Sequence, residues 1–180
     1  MVRKIAVTLV GLVALAVLVV VGLALTKPRE LYVERHLEVA ATPAAVYALI
    51  NDLHRFTEWS PWQKLDPAMT SRYAGPGSGI GASYSWTGNR SVGAGRLTIT
   101  DTQPGASVGM RLEFLEPFAA TNQVQFSLDP VESGTRITWA MTGRNDFMTR
   151  VGSVFIDMEA MIGRDFETGL ASLKALSEGG

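Results

Sequence analysis

The sequence predicts an α+β chain. A single membrane-spanning helix comes first, then a domain in which a seven-stranded antiparallel sheet carries two short helices after its first strand and one long C-terminal helix. Three features predict it. Residues Ile5 to Leu25 form an unbroken apolar run with no charged side chain, long enough to cross the roughly 30 Å hydrocarbon core of a bilayer as one helix. Between Leu31 and Thr142, apolar and polar residues alternate along short runs punctuated by turn residues, the pattern of half-buried strands. From Asp146 onward the apolar period becomes that of a helix.

Fourteen positions of the Ile5 to Leu25 run are Leu, Val or Ile, each worth roughly −0.3 to −0.6 kcal/mol near the centre of an inserted helix. A cleavable signal peptide is the competing reading, because Arg3 and Lys4 form a basic leader and Gly22-Leu23-Ala24 offers small residues at cleavage-like spacing. The run exceeds the usual apolar region of about 7 to 15 residues in a signal peptide, which favours a retained anchor. Arg3, Lys4 and the terminal amine face Lys27, Arg29 and Arg35 across the span, so the positive-inside count is nearly balanced. The short basic leader favours a cytoplasmic N-terminus, a single pass through the cell membrane and an extracytoplasmic C-terminal domain. Cleavage would leave the domain secreted or periplasmic.

The expected division is 1–26 anchor, 27–30 linker and 31–178 domain, the last of a size that closes one substantial core. A net charge of −1 offers no basic field for a phosphate backbone, so nucleic acid is not an expected partner. Cysteine is absent, which removes thiolate nucleophiles, disulfides and Cys-ligated zinc. His36 and His54 lie in different predicted elements without metal-site spacing, so no metal is expected.

Pro28 ends the first helix by disfavouring helical geometry at its predecessor. Leu31, Val33, Leu37 and Val39 then alternate with Tyr32, Glu34, His36 and Glu38 in a strand whose period breaks once. Thr42-Pro43 supplies an N-cap and a first-turn proline for a helix through Ile50. A second short helix follows over Asp52 to Glu58. Six more strands are expected: Thr70 to Tyr73, Ala82 to Thr87, Val92 to Asp101, Ser107 to Leu115, Thr121 to Leu128 and Thr135 to Thr142. Tyr84 and Trp86, Met110 to Phe114, Val124 to Leu128 and Ile137 to Met141 present apolar side chains at every second position, so these faces share one interior. Val151, Val154, Phe155, Met158, Ile162, Phe166, Leu170, Leu173 and Leu176 form one stripe of a helix of roughly 30 residues, about 45 Å long. Asp146 is its expected N-cap. Gly152, Gly163 and Gly169 are read as points of close helix-to-sheet approach, in preference to a bend or room for a ligand.

The segments Trp59-Ser60-Pro61-Trp62-Gln63-Lys64-Leu65-Asp66-Pro67, Gly75-Pro76 through Trp86, Phe114-Leu115-Glu116-Pro117-Phe118, Gly143 to Met148 and Asp165 to Leu170 together resemble the SRPBCC superfamily. The likeness is to its polyketide cyclase/dehydrase-like branch, related to START lipid-transfer domains and Bet v 1 allergens, and covers Leu31 to Glu178. The resemblance implies a helix-grip fold, in which a curved sheet wraps the final helix around a cavity. It implies no single chemistry, because the superfamily includes lipid carriers, ligand sensors, quinone-binding chaperones and some cyclases.

The expected cavity lining is Trp59, Trp62, Tyr84, Trp86, Met110, Phe114, Phe126, Trp139, Met141, Met158 and Phe166. Adaptable methionines, with aromatics that each bring one polar atom, suit a flexible apolar ligand. A plain packed core has the same composition, and the fold resemblance favours the hollow reading. Glu113, Glu116, Asp101, Asp146, Asp157 and Asp165 read as solvated charges or caps, and Arg96 and Arg111 as outward-facing strand residues. An aldol-type cyclase needs a general base and an enolate donor, for which Tyr84 with Gln123 or Asn122 are the candidates. No nucleophile elbow, phosphate loop or paired carboxylate is present, and no cofactor is expected. The leading expectation is a membrane-held domain that binds a hydrophobic small molecule or lipid. The alternatives are a cyclase/dehydrase-like enzyme in the same pocket and a protein-interaction module with a filled core.

Overall fold

A computed structural model describes residues 2–179. The elements are α1 (Val2–Thr26), β1 (Glu30–Val39), α2 (Pro43–Ile50), α3 (Leu53–Trp59), a 3-10 turn (Pro61–Lys64), β2 (Thr70–Ala74), β3 (Ser83–Thr87), β4 (Ala94–Gln103), β5 (Ser107–Glu116), β6 (Ala120–Val131), β7 (Gly134–Arg144), α4 (Phe147–Gly152) and α5 (Met158–Glu178). The seven strands form one antiparallel sheet in the order β1-β7-β6-β5-β4-β3-β2. Register shifts at Ala94/Gly95 and Ile99/Asp101 interrupt the β4–β5 ladder, and such irregularities bend a sheet locally. With α5 against its concave side, this is the helix-grip arrangement.

Local chemistry fixes the short helices. Thr42 accepts a hydrogen bond from the Ala45 amide at 3.3 Å and Pro43 opens α2, while the Asp52 carboxylate accepts from the His54 amide at 2.8 Å to open α3. Capping of this kind answers backbone donors that the first turn leaves unpaired.

The C-terminal segment departs from the expected continuous helix. It breaks at residues 153–157 into α4 and α5, because Ser153 closes α4 through its amide to Thr149 and Val151 carbonyls and Asp157 turns extended, accepting from the Ala160 amide at 3.0 Å. Asp146 therefore caps α4, accepting from the Thr149 amide at 2.7 Å, rather than the last helix. The length of α5 is about 31 Å at 1.5 Å per residue, not 45 Å. Phe155 leaves the expected stripe and is 71% exposed, whereas Phe166, Leu170 and Leu173 stay buried.

Arg35 is the break in the β1 alternation. It pairs in register with Trp139 and shares its inner face with Val33 and Leu37. Its guanidinium reaches Glu159 and Glu167 of α5, each at 2.7 Å, and the backbone of Gly163 passes so close that an added Cβ would collide with it. At the far end Glu178 accepts from the Ala40 amide at 2.6 Å and Lys174 donates to the Glu38 carbonyl at 2.8 Å. Thus α5 runs from the middle of β1 to its distal end. Replacing Arg35 tests which part of the side chain holds the helix. Arg35→Met, which keeps the apolar stem, should change stability by within about 1 kcal/mol. Arg35→Ala should cost more, because the stem's packing is lost too; equal losses in urea unfolding would assign the contact to charge alone.

Candidate functional site

The concave face can be read row by row from the strand register. The row Arg35, Trp139, Phe126, Val108 lies under α5, followed toward the anchor end by Val33, Met141, Val124, Met110, Ile99. Next comes Leu31, Gly143, Asn122, Leu112, Leu97, Tyr84, and last Phe114, Gly95, Trp86. Since side chains alternate between faces, these rows form one wall.

The first row is closed by aromatic packing. Trp139 stacks on Phe166 of α5 with centroids 4.1 Å apart and planes 8° from parallel. Phe126 tilts against it at 4.9 Å, and Trp59 and Trp62 meet it edge-on at 5.7 and 5.9 Å. Such contacts add stabilisation beyond their burial. Gly169 makes the close approach possible: a Cβ there would lie 2.7 Å from the Trp139 ring. The expectation of close packing therefore holds at Gly163 and Gly169, whereas nothing approaches Gly152.

The rows nearer the anchor are more open. Leu31, Trp86, Leu112 and Phe114 are half-buried, with Trp86 stacked on Tyr84 at 5.9 Å and edge-on to Phe114 at 6.1 Å. The Trp86 ring lies over Gly95, where a Cβ would come 2.5 Å from it. Phe56 joins this group to the closed row, 4.9 Å from Trp59 and 6.3 Å from Tyr84. Met110 and Met141 are buried in the wall between. Met158 is half-buried at the start of α5 and stands apart from the rings.

Few polar atoms enter this wall. The Trp139 indole N–H is buried without a hydrogen-bond partner, whereas Trp62 donates to Asp165 at 3.2 Å and Trp86 to the Val92 carbonyl at 3.0 Å. The Tyr84 hydroxyl sits 3.2 Å from Ser71 Oγ and 3.4 Å from Gln63 Oε1, and burial raises its pKa. Tyr84 therefore stays a neutral donor near neutral pH, flanked by neutral groups. Asn122 is buried on the same face against Gly143, but three strand spacings separate it from Tyr84, roughly 14 Å along the sheet. Gln123 faces outward and is exposed. The structure thus does not bring Tyr84 together with either amide.

Two surface hollows lie at the margins of the wall, the first beside Tyr73, which pairs in register with Tyr84 with ring centroids 5.3 Å apart, and the second beside Leu31. One of about 210 Å³ is lined by Leu53, His54, Tyr73 and the 74–77 loop, with His54 stacked on Tyr73 at 4.0 Å. Another of about 420 Å³ lies by Tyr32, Gln123 and Arg144. Arg96 and Arg111 face outward, toward Ser85 and Glu113 at 3.3 and 3.6 Å. Asp66 is buried and accepts from the Ala68 and Asn89 amides at 3.1 and 2.7 Å; it fixes a loop. Among the described residues no group of three His, Asp or Glu side chains is placed to hold a metal ion.

The family model described as "Polyketide cyclase / dehydrase and lipid transport" matches residues 31–178. The chain belongs to that polyketide cyclase/dehydrase and lipid transport family. No curated protein matches it. Among solved structures it is similar to a protein from Chromobacterium violaceum, at 17% identity and TM-score 0.58, over 84% of this chain and 99% of that one. It is similar also to Ara h 8.0201, at 13% identity and TM-score 0.60, over 84% and 99%. The di-domain ARO/CYC StfQ of the steffimycin biosynthetic pathway aligns at 13% identity and TM-score 0.57, over 83% of this chain and 51% of StfQ. At these identities the likeness shows the fold alone, and with the family match it supports membership of the SRPBCC superfamily. Family and fold together suggest a ligand-binding or polyketide-cyclase-like domain.

Sequence reasoning missed three features of this family member's wall. Arg35 was signalled by a charge in the apolar phase of β1. Gln63 and Ser71, the partners of Tyr84, had no local signal, because they arrive from the 3-10 turn and from β2.

Proposed function

We propose that this protein is a membrane-anchored binding domain for a hydrophobic small molecule or lipid, held on the concave wall between α5 and the sheet. One observation carries the reading. The wall continues, apolar and half-buried, through Trp86, Leu112, Phe114 and Leu31 toward the end of the sheet where α1 joins β1. An apolar ligand there gains roughly 25 cal/mol for each Å² removed from water, and the few polar atoms orient it without offering a base.

The helix α1 is long and apolar enough to cross a membrane over Lys4–Thr26 and is exposed along most of that length, down to its C-terminal turns where Ala24 is buried. We take it as a retained anchor with the domain on the extracytoplasmic side. Only a few residues separate α1 from β1, so the wall stays close to the bilayer from which an apolar ligand would be drawn.

Native mass spectrometry of the full chain, released directly from its host membranes, tests the reading. The expected result is a discrete apolar mass that survives the collisional activation stripping peripheral lipid, with lower occupancy in Trp86→Ala. Bare chain in both proteins would contradict it.

A further inference from the structure

The domain is not loosely tethered to α1. The Asn145 amide donates to the Arg29 carbonyl at 2.9 Å, and the Asn145 side chain to the Pro28 carbonyl at 3.2 Å, so the β7–α4 junction is strapped to the segment leaving α1. Ala24 is fully buried and α4 packs on the C-terminal part of α1. Because Ala24 lies less than one turn from the end of α1 at Thr26, α4 sits level with the last turn of that helix.

The same end of the sheet is where large apolar side chains face solvent. Antiparallel register sets the start of β6 at Ala120 and the end of β7 at Arg144 beside each other, so the β5–β6 turn and α4 emerge from one edge. There Leu115, Phe118, Phe147, Met148, Phe155 and Ile156 are 60, 82, 42, 69, 71 and 53% exposed. At the opposite end Ile80 is the prominent exposed aliphatic side chain. Lone exposed apolar residues are ordinary; a concentration on the edge that carries an apolar helix is not.

We infer that this rim, the β5–β6 turn together with α4 and the bend at 153–157, dips into the bilayer interface beside α1. The inference rests on α1 being a membrane anchor and adds a second contact that fixes how the domain faces the lipid. Continuity carries it: α4 is bound to α1 within a turn of the apolar boundary, within the roughly 5–10 Å by which interfacial segments penetrate. Lys27 and Arg29 follow α1, Arg144 ends β7 and Arg150 lies in α4, and Glu30, Asp146 and Asp157 adjoin the same segments, so apolar burial rather than net charge holds the contact. The half-buried Trp86 and Phe114 then open toward lipid rather than toward water.

The absence of cysteine gives a clean test. Full chains carrying Phe155→Cys, Phe118→Cys or, at the opposite end, Ile80→Cys are labelled with an environment-sensitive fluorophore and reconstituted in vesicles. These positions are exposed, so the core is spared. Lipid-borne nitroxide should quench the labels at 155 and 118 several-fold more than that at 80, aqueous iodide should show the reverse order, and high salt should change neither. If the chain resists alkaline carbonate extraction yet the labels at 155 and 118 respond to iodide like that at 80, the rim contact is wrong and the anchor stands. If the chain leaves the vesicles, both fail. Labels shielded from both quenchers would mean that protein, such as a second copy, covers the rim, and would overturn the inference.

Discussion

Trp139→Ala should remove about 3–5 kcal/mol of stability, the range for truncating a large buried aromatic. That is a large fraction of the roughly 5–15 kcal/mol that holds a domain folded. The reason lies in what the ring touches. It is 2% exposed, stacked on Phe166, packed against Phe126 and met edge-on by two other indoles. Its loss leaves Trp59 and Trp62 facing a void between α5 and β7, which neither can fill while Trp59 donates to the Leu49 carbonyl and Trp62 to Asp165. Urea unfolding of the full chain in micelles, followed by far-ultraviolet circular dichroism, should show a much lower midpoint. A loss under about 1 kcal/mol would mean that the ring cluster does not hold the helix to the sheet.

Gly169→Ala and Gly152→Ala should move stability in opposite directions. Alanine gains about 1 kcal/mol over glycine inside a helix; Gly152 is the last residue of α4 and nothing lies within 4 Å of the added methyl, so a smaller gain is expected there. At Gly169 the methyl would lie 2.7 Å from Trp139 and 3.2 Å from the Pro61 side chain. Overpacking of a filled site costs about 1–3 kcal/mol, which outweighs the propensity gain, and neither the stacked indole nor the proline ring can swing aside. A stabilised Gly169→Ala protein would show that α5 rides farther from the sheet than this geometry has it.

The strands and short helices were legible because their signals are local. The alternation of Ile137, Trp139 and Met141, the Thr42-Pro43 pair and Asp52 each specify a conformation within a few residues. The break between α4 and α5 was obscured because Val151, Val154, Phe155 and Met158 keep a helical period across it. Asp157 reads equally as a solvated charge on a helix face or as a cap. Arg35 was visible only as an irregularity, since nothing in β1 announces Glu159 and Glu167 more than 120 residues away. Aromatic composition identified the side chains of the inner wall, yet which of them pack ring on ring and which stay half-open depends on enclosed volume, and composition does not encode volume.

The central claim is that an apolar molecule occupies the concave wall, and photolabelling of the full chain in native membranes tests it most directly. A long-chain fatty acid bearing a diazirine is supplied, irradiated and mapped by peptide mass spectrometry. Adducts are expected on β3 and β5 around Trp86 and Phe114 and on the first turns of α5, reduced by competing unlabelled fatty acid. Adducts confined to α1 and the β5–β6 turn, with the inner wall unlabelled, would contradict it.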